Sequence, residues 1–295
     1  MHLCNGGAKN LHAINIATGS AASTDAVTTN PPPFLKWAGG KRWLISSHSS
    51  LLQVSYSRYI EPFLGSGAVY FHLRPKSAVL GDMNAALIQC YAAVRESPSA
   101  VEAALARHQR QHSETYYYEE RRRKHRSPAE AAAQLIYLNR TCWNGLYRVN
   151  LKGEFNVPIG TKENVILSSD NFQSTSRALQ GAQLFAQDFE ATIDRAEDGD
   201  LLFADPPYTV KHNYNGFLKY NEKIFSWDDQ KRLRGALERA KDRGVRILLL
   251  NADHASIRDL YRGFGEHLVL SRNSVLAGDA AYRGKSTELA IRANY

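Results

Sequence analysis

Leu201-Leu202-Phe203-Ala204-Asp205-Pro206-Pro207-Tyr208 sets four apolar residues directly before an acid, two prolines and a tyrosine. A run this short and this apolar reads as a strand buried on both faces, as in parallel sheets. Neither proline has an N–H and both fix φ, so the strand must stop at Asp205 in a stiff turn. That turn holds a carboxylate, the free Pro206 carbonyl and the Tyr208 ring towards whatever lies beyond the strand end. The bland alternative is a structural Asp-Pro-Pro turn followed by a surface tyrosine.

Outward from this stretch, Tyr59-Ile60-Glu61, Ala78-Val79-Leu80-Gly81-Asp82 and Ile247-Leu248-Leu249-Leu250-Asn251 repeat the pattern of an apolar run that ends in a polar group. Helical patterns stand between or beside them, such as Asp228 to Arg243 closed by Gly244. The alternation predicts an open α/β sheet, in which ligands collect at the carboxyl ends of the strands. Glu61-Pro62-Phe63-Leu64-Gly65-Ser66-Gly67 follows one such strand, and Gly65 and Gly67 would let a small ligand approach the backbone. A dinucleotide fingerprint would want glycine where Tyr70 stands, so a cofactor lacking pyrophosphate is preferred. Asp82, at the tip of the next strand, suits hydrogen bonding to ribose hydroxyls. The glycines could equally make only a tight turn, and Asp82 could cap a helix.

A chain of 295 residues accommodates one large or two modest domains, and 43% hydrophobic against 22% charged residues excludes wholesale disorder. Residues 1–33 differ in texture: their only charges are Lys9 and Asp25, and they end in Pro31-Pro32-Pro33. They read as a disordered leader without the features of a targeting peptide. No stretch approaches the roughly 18 uninterrupted apolar residues of a membrane helix, which predicts a soluble chain with no membrane partner. Cys4, Cys90 and Cys142 are too scattered for a disulfide framework or a zinc site, which fits a reducing, cytoplasmic setting. No Asp/Glu/His cluster has metal-ligand spacing. The 37 lysines and arginines outnumber 29 acids, and the net charge of +8 favours a polyanionic partner.

From about Ala86 to Glu163 the strand–helix rhythm gives way to helical, tyrosine-rich and arginine-rich sequence with 12 basic and 8 acidic residues, half of the chain's net excess. Ser127-Pro128-Ala129-Glu130 places a cap, an N1 proline and an N3 glutamate in register, which predicts a helix running to about Leu138. Leu146 to Val149 and Glu154 to Val157 flank Asn150-Leu151-Lys152-Gly153 as in a β-hairpin. Alternation puts Tyr147 and Val149 on one face and Leu146 and Arg148 on the other. Residues 86–163 are therefore expected to form a second domain, inserted into a first made of 34–85 and 164–295.

The chemistry available at Asp205 follows from its neighbours. A planar base could stack on Tyr208 while its exocyclic amine donates to the Asp205 side chain and the Pro206 carbonyl. Such an amine is a poor nucleophile because its lone pair is delocalised into the ring. Accepting both of its hydrogens would favour a more tetrahedral nitrogen and aim the lone pair at an electrophilic methyl group, a matter of positioning and electrostatics.

In this arrangement the chain resembles the Dam-type (D12 class, alpha-group) DNA adenine-N6 methyltransferases, which use S-adenosyl-L-methionine. The resemblance runs from about Phe34 to Tyr295 in family order. Phe34-Leu35-Lys36-Trp37-Ala38-Gly39-Gly40-Lys41 resembles the N-terminal cofactor motif, Glu61 to Gly67 the FxGxG motif, Gly81-Asp82-Met83-Asn84 the ribose-binding segment and Asp205 to Tyr208 the catalytic DPPY. Leu138 to Arg148 and Gly153 to Gly160 resemble the DNA-reading hairpin, and Asn251-Ala252-Asp253 and Glu288-Leu289-Ala290 the late strands.

The resemblance implies a Rossmann-like methyltransferase sheet with an inserted helical and β-hairpin DNA-recognition domain. It implies Asp205, Pro206, Pro207 and Tyr208 as catalytic residues. Trp37, Lys41, Asp82 and Asp205 become cofactor contacts, with Phe63, Gly65 and Gly67 at the methionine end and Asp188-Phe189 against the cofactor adenine. Asp188-Phe189 reads equally as a helix cap followed by a core phenylalanine.

For DNA, the resemblance implies a target adenine flipped out of the duplex. Trp143 becomes the wedge that fills the hole, with core packing as its alternative. Arg148 becomes a reader of guanine O6 and N7, with Asn144 and Leu146 beside it in the same motif. Lys36 and Arg140, inside matched motifs, become phosphate contacts. Arg121 to Arg126 could track phosphates or form a solvated helix face.

The partners implied are double-stranded DNA, with GATC as the natural guess for the site, and a cognate restriction endonuclease. The protein itself would be a nucleoid-associated monomer. Thr209 to Tyr214 lacks the proline-containing segment often found after DPPY, and Cys142 and Trp143 alter the hairpin edge, so target sequence is the least constrained expectation. Competing readings are cytosine-N4 or RNA adenine methylation, and a catalytically silent DNA-binding regulator, which would be expected to show a broken DPPY or glycine loop.

Overall fold

The computed structural model describes residues 30–150, 153–210, 225–273 and 285–295. Its centre is a sheet of β1 (Tyr59–Glu61), β2 (Ala78–Asp82), β3 (Ala182–Ala186), β4 (Leu201–Ala204), β5 (Arg246–Ala252), β6 (Glu266–Asn273) and β7 (Lys285–Ala293). The strands lie in the order β3-β2-β1-β4-β5-β7-β6. The four apolar runs singled out in the sequence are thus four adjacent strands, β2, β1, β4 and β5, all parallel. β7 alone runs antiparallel between β5 and β6. Chain order reverses direction at β1, where Tyr59 faces Ala78 on one side and Leu201 on the other. A crevice opens at such a switch point, beyond the carboxyl ends of the two central strands.

The sheet splits the core in two, and the period of two along each strand decides which side a residue joins. Leu201 and Phe203 of β4 and Leu248 and Leu250 of β5 enter one cluster. Leu202, Ala204, Ile247 and Leu249 enter the other. Each side chain of this kind contributes about 1.5 to 3 kcal/mol when fully buried.

The helices are α1 (Arg42–His48), α2 (Ala68–Leu73), α3 (Ala85–Glu96), α4 (Pro98–Gln111), α5 (Glu114–Arg122), α6 (Pro128–Thr141), α7 (Phe172–Leu179), α8 (Phe189–Ile193), α9 (Trp227–Asp242) and α10 (Ala255–Leu260). α9 shows why its sequence is helical. Ser226 and Asp229 form a reciprocal capping box, acids occupy its first turn and Arg239 and Lys241 its last. Gly244 then takes φ +88, where a Cβ would lie 2.2 Å from Asp198 Oδ1. The helix buries Leu233, Ala236, Leu237 and Ala240 against Ile247 and Leu249.

The inserted stretch shares the sheet's core. α3 packs on β2 and β3 with one side and on α6 and α7 with another. One cluster continues from Leu80 and Phe203 through Tyr91, Ile136 and Tyr137 to Val157. The expected domain boundary at residue 86 therefore falls inside the first turn of α3, with no break in packing. α6 starts at Pro128 as its sequence predicts and runs past Leu138 to Thr141. Its expected capping box does not form: Ser127 makes no side-chain cap bond, and Glu130 pairs with Arg107 instead.

The hairpin is rudimentary, with one bridge between Val149 and Phe155 and backbone bonds from Asn150 to Glu154 and from Asn156 to Arg148. Leu151 and Lys152 of its expected turn lie outside the described residues. Tyr147 and Val149, expected on one face by alternation, differ in burial. Tyr147 packs inward against Trp37 and Phe155, whereas Val149 is exposed, because only one bridge fixes the ladder.

Arg140 corrects the expectation of a phosphate contact. It is 2% exposed, and its guanidinium grips Asp170 through both terminal nitrogens, at 2.6 and 2.7 Å. The same group donates to the Phe34 carbonyl at 2.9 Å and to the Val165 carbonyl at 2.6 Å. A fork filled in this way ties the end of α6 to residue 34 and to the chain after the hairpin, and its donors are occupied inside the protein. Arg140→Ala strands Asp170 and is expected to cost about 3 to 5 kcal/mol of stability, read by denaturant unfolding.

Candidate active site

The turn after β1 is built for close approach. Gly65 and Gly67 have φ +47 and +62, the left-handed region. A Cβ on Gly65 would lie 2.9 Å from Trp37 Cδ1, so the missing side chain is what admits the indole. Asp82 holds the turn from the neighbouring strand: Oδ2 accepts from Gly65 N at 3.1 Å and Oδ1 from Asn84 N at 2.9 Å. Tyr91 donates to the Gly65 carbonyl at 3.0 Å. The helix-cap alternative for Asp82 is not what forms; Asn84 caps α3 by accepting from Leu87 N. Each Asp82 oxygen keeps further acceptor capacity towards the crevice.

Phe63 stacks on Phe189 with centroids 5.4 Å apart, and Phe225 meets both rings. Asp188 caps α8 through Glu190 N at 3.0 Å and pairs with Arg232 at 2.8 Å, while Phe189 is 6% exposed. Cap and core residue is thus the local role of this pair, and it leaves an apolar wall at the crevice with an acid on its rim.

Asp205 follows β4 directly, with Pro206 buried behind it. Its carboxylate is not open. Lys41 Nζ lies 2.9 Å from Oδ1 and 3.6 Å from Glu288 Oε2, donates to the Gly39 carbonyl at 2.8 Å, and sits 4.9 Å from the centre of the Tyr208 ring. The Tyr208 hydroxyl donates to Glu288 Oε2 at 2.5 Å. One face of the Tyr208 ring is therefore approached by an ammonium.

Burial raises the pKa of all three carboxyls at adjacent strand ends. Asp205 is pushed up to about 6, mainly by loss of water, against the pull of Lys41. Glu61 is driven well above the usual carboxylate range by burial, helped by the charges of Asp205 and Asp82, although Tyr59 donates to it at 3.0 Å. Asp82 is raised by burial as well. Acids so placed favour a ligand that brings positive charge.

At the hairpin, Trp143 is 53% exposed and Leu146 41%, with Asn144 and Arg148 exposed beside them; Trp143 is not a core residue. Asn144 itself takes a left-handed φ of +55. Arg148 is steadied by its Nε, which donates to Asn156 Oδ1 at 2.9 Å. Lys36 is exposed nearby, and its backbone pairs both ways with the Asn139 side chain, at 2.8 and 2.7 Å. Trp37 stacks on Tyr147 at 5.0 Å, which joins the cofactor motif to the hairpin. In the basic tract, Arg121 donates to the Val157 carbonyl, and Arg123 and His125 hold the buried Glu120. Arg122, Lys124 and Arg126 face solvent.

Three residues join the site that sequence reasoning did not assign: Glu61, Glu288 and Asn139. For Glu288 the signal was available, since an acid in the otherwise apolar run Leu289-Ala290-Ile291 of a buried strand demands a partner. Among the described residues no group of acids, histidines and cysteines could hold a metal ion, and no helix is long and apolar enough to cross a membrane.

Comparison with known proteins agrees with this geometry. The family profile of the D12 class N6 adenine-specific DNA methyltransferases matches residues 37–274. A Type II methyltransferase of Lactococcus lactis subsp. cremoris is 36% identical over 271 residues, covering 89% of this chain and 95% of its own length. A Type II methyltransferase of Methanocaldococcus jannaschii is 33% identical, covering 82% of this chain and 92% of its own length. The DNA adenine methylase of Escherichia coli is 31% identical over 260 residues, covering 87% and 93%. A parallel sheet with its acids gathered at the switch point, matched over most of its length, places this chain in the D12 class of N6 adenine-specific DNA methyltransferases.

Proposed function

We propose that the chain binds S-adenosyl-L-methionine in the crevice between β1 and β4 and methylates N6 of an adenine flipped out of double-stranded DNA. The observation that carries this reading is the convergence of Glu61, Asp82 and Asp205 around the left-handed glycine turn. A cofactor with a sulfonium and an ammonium group fits a crevice of buried acids, with Phe63 at its methionine end and Phe189 against its adenine. When bound, this group supplies an electrophilic methyl carbon.

The chain's own residues do the rest by placement. Gly65 and Gly67 leave room at the methionine end, Asp82 offers acceptors to ribose hydroxyls, and Asp188 stands at the rim of the apolar wall. Asp205 and the Pro206 carbonyl accept the two hydrogens of the target amine, which localises its lone pair. Tyr208 stacks on the base. Trp143, exposed at the hairpin, fills the vacated position in the duplex. Lys36, Asn144, Leu146 and Arg148 form the surface that meets DNA, with Arg148 reading a guanine at about 1 to 3 kcal/mol of discrimination.

GATC is the site to test first. The Type II names of two relatives support pairing with a cognate endonuclease. The enzyme is read as a monomer that acts on DNA in the cytoplasm.

Asp205→Ala is expected to abolish methyl transfer from labelled cofactor while keeping the fold and most duplex affinity; normal turnover would remove the assignment. Because the ionised Asp205 carboxylate is the stronger acceptor for its share of the amine hydrogens, the wild-type rate should fall about tenfold per unit as pH drops below about 6, in a pH–rate profile. Arg148→Ala should relax sequence preference when modified bases are sequenced in a methylation-free host. An unchanged pattern would place the guanine reader elsewhere.

A further inference from the structure

Lys41 occupies the ground its substrate needs. Its side chain is 4% exposed, and its ammonium holds both the Asp205 carboxylate and the face of Tyr208. A target amine that takes Asp205 Oδ1 meets this ammonium there, and a base on the same face of Tyr208 meets it at the ring. The ammonium cannot simply be expelled into apolar surroundings, because an unpaired buried charge is costly. A second anion stands ready: Glu288 Oε2 is 3.6 Å from the same nitrogen, and its side chain is 7% exposed. The antiparallel register puts Glu288 opposite Ala252, at the carboxyl end of β5, which brings an acid from the far side of the sheet to this edge. The same carboxylate oxygen accepts the Tyr208 hydroxyl at 2.5 Å.

We propose that Glu288 is a positioning residue that receives the Lys41 ammonium when the target amine takes Asp205, and that it keeps the Tyr208 ring in place during the exchange. The inference rests on the methyl-transfer reading of Asp205. In the free enzyme Lys41 is a place-holder that keeps the carboxylate paired. In the substrate complex it moves less than the width of a side chain and stays paired. The charged groups around Asp205 are Lys41 from the segment before α1, Glu288 from β7 and Glu61 from β1, with the Tyr208 hydroxyl alongside.

Glu288→Gln keeps an oxygen for the Tyr208 hydroxyl and removes the charge. Glu288→Asp keeps the charge but draws it back by one methylene. The experiment compares kcat, and KM for duplex and for cofactor, across about pH 5 to 8.5 for the wild type and both variants. Glu288→Gln should lose at least about tenfold in kcat with cofactor KM within about twofold. Its acid limb should move to lower pH, because Asp205 loses an anionic neighbour that raises its pKa and keeps Lys41. Glu288→Asp should fall between.

A Glu288→Gln enzyme with wild-type kcat overturns the proposal. So does one that loses rate with its acid limb unmoved, which would leave Glu288 a packing partner of Tyr208. If Glu288→Gln does not fold, Glu288→Asp decides: reduced kcat with unchanged cofactor KM supports the exchange, and wild-type kcat overturns it. A wild-type enzyme that transfers no methyl to adenine fails the functional reading instead.

Discussion

Like charges gathered in a place with little water are the constraint that organises this enzyme. Glu61, Asp82 and Asp205 end three neighbouring parallel strands, and burial pushes their carboxyls towards protonation, with repulsion from Asp205 and Asp82 added at Glu61 and from Glu288 at Asp205. Such an edge is stable only if something offsets the repulsion. Backbone N–H groups do so for Asp82, a tyrosine hydroxyl for Glu61 and a lysine for Asp205. Each offset also shapes the site. The bond to Asp82 holds the glycine turn, and the one to Asp205 brings Lys41 over the Tyr208 ring.

The second organising feature is that the exposed hairpin and the segment from Phe34 to Trp37 are one mechanical unit. Asn139 and Arg140, adjacent at the end of α6, hold the backbone of Lys36 and Phe34. A few residues later the same chain presents Trp143, and Tyr147 turns inward to stack under Trp37, which in turn lies against Gly65. A continuous path of packed and hydrogen-bonded groups therefore runs from the hairpin to the glycine turn.

Much of this was legible because it depends on local rules. Short apolar runs ending in acids are what buried parallel strands look like, and the Asp-Pro-Pro turn can end a strand in only a few ways. Glycines at 65 and 67 signalled a turn that something can approach closely. What stayed hidden depends on contacts distant in sequence. An arginine in a matched motif looks like a phosphate ligand until Asp170, thirty residues on, fills its fork. Glu130 looked like half of a capping box, but Arg107 on the preceding helix claims it. The place of Lys41 over Tyr208 depends on β7, the last strand of the sheet, arriving antiparallel with Glu288 at the right height. The continuity of the core across residue 86 was invisible for the same reason, since α3 serves sheet and insertion at once.

The bidentate hold of Asn139 on Lys36 has a consequence for anyone who would re-engineer specificity. A hairpin transplanted from a relative by itself would dock onto a foreign lid, with its tryptophan aimed by someone else's asparagine. The natural unit of exchange is therefore discontinuous: residues 34–37 must travel with residues 138–149, or the chimera will carry a new reading head on the wrong neck.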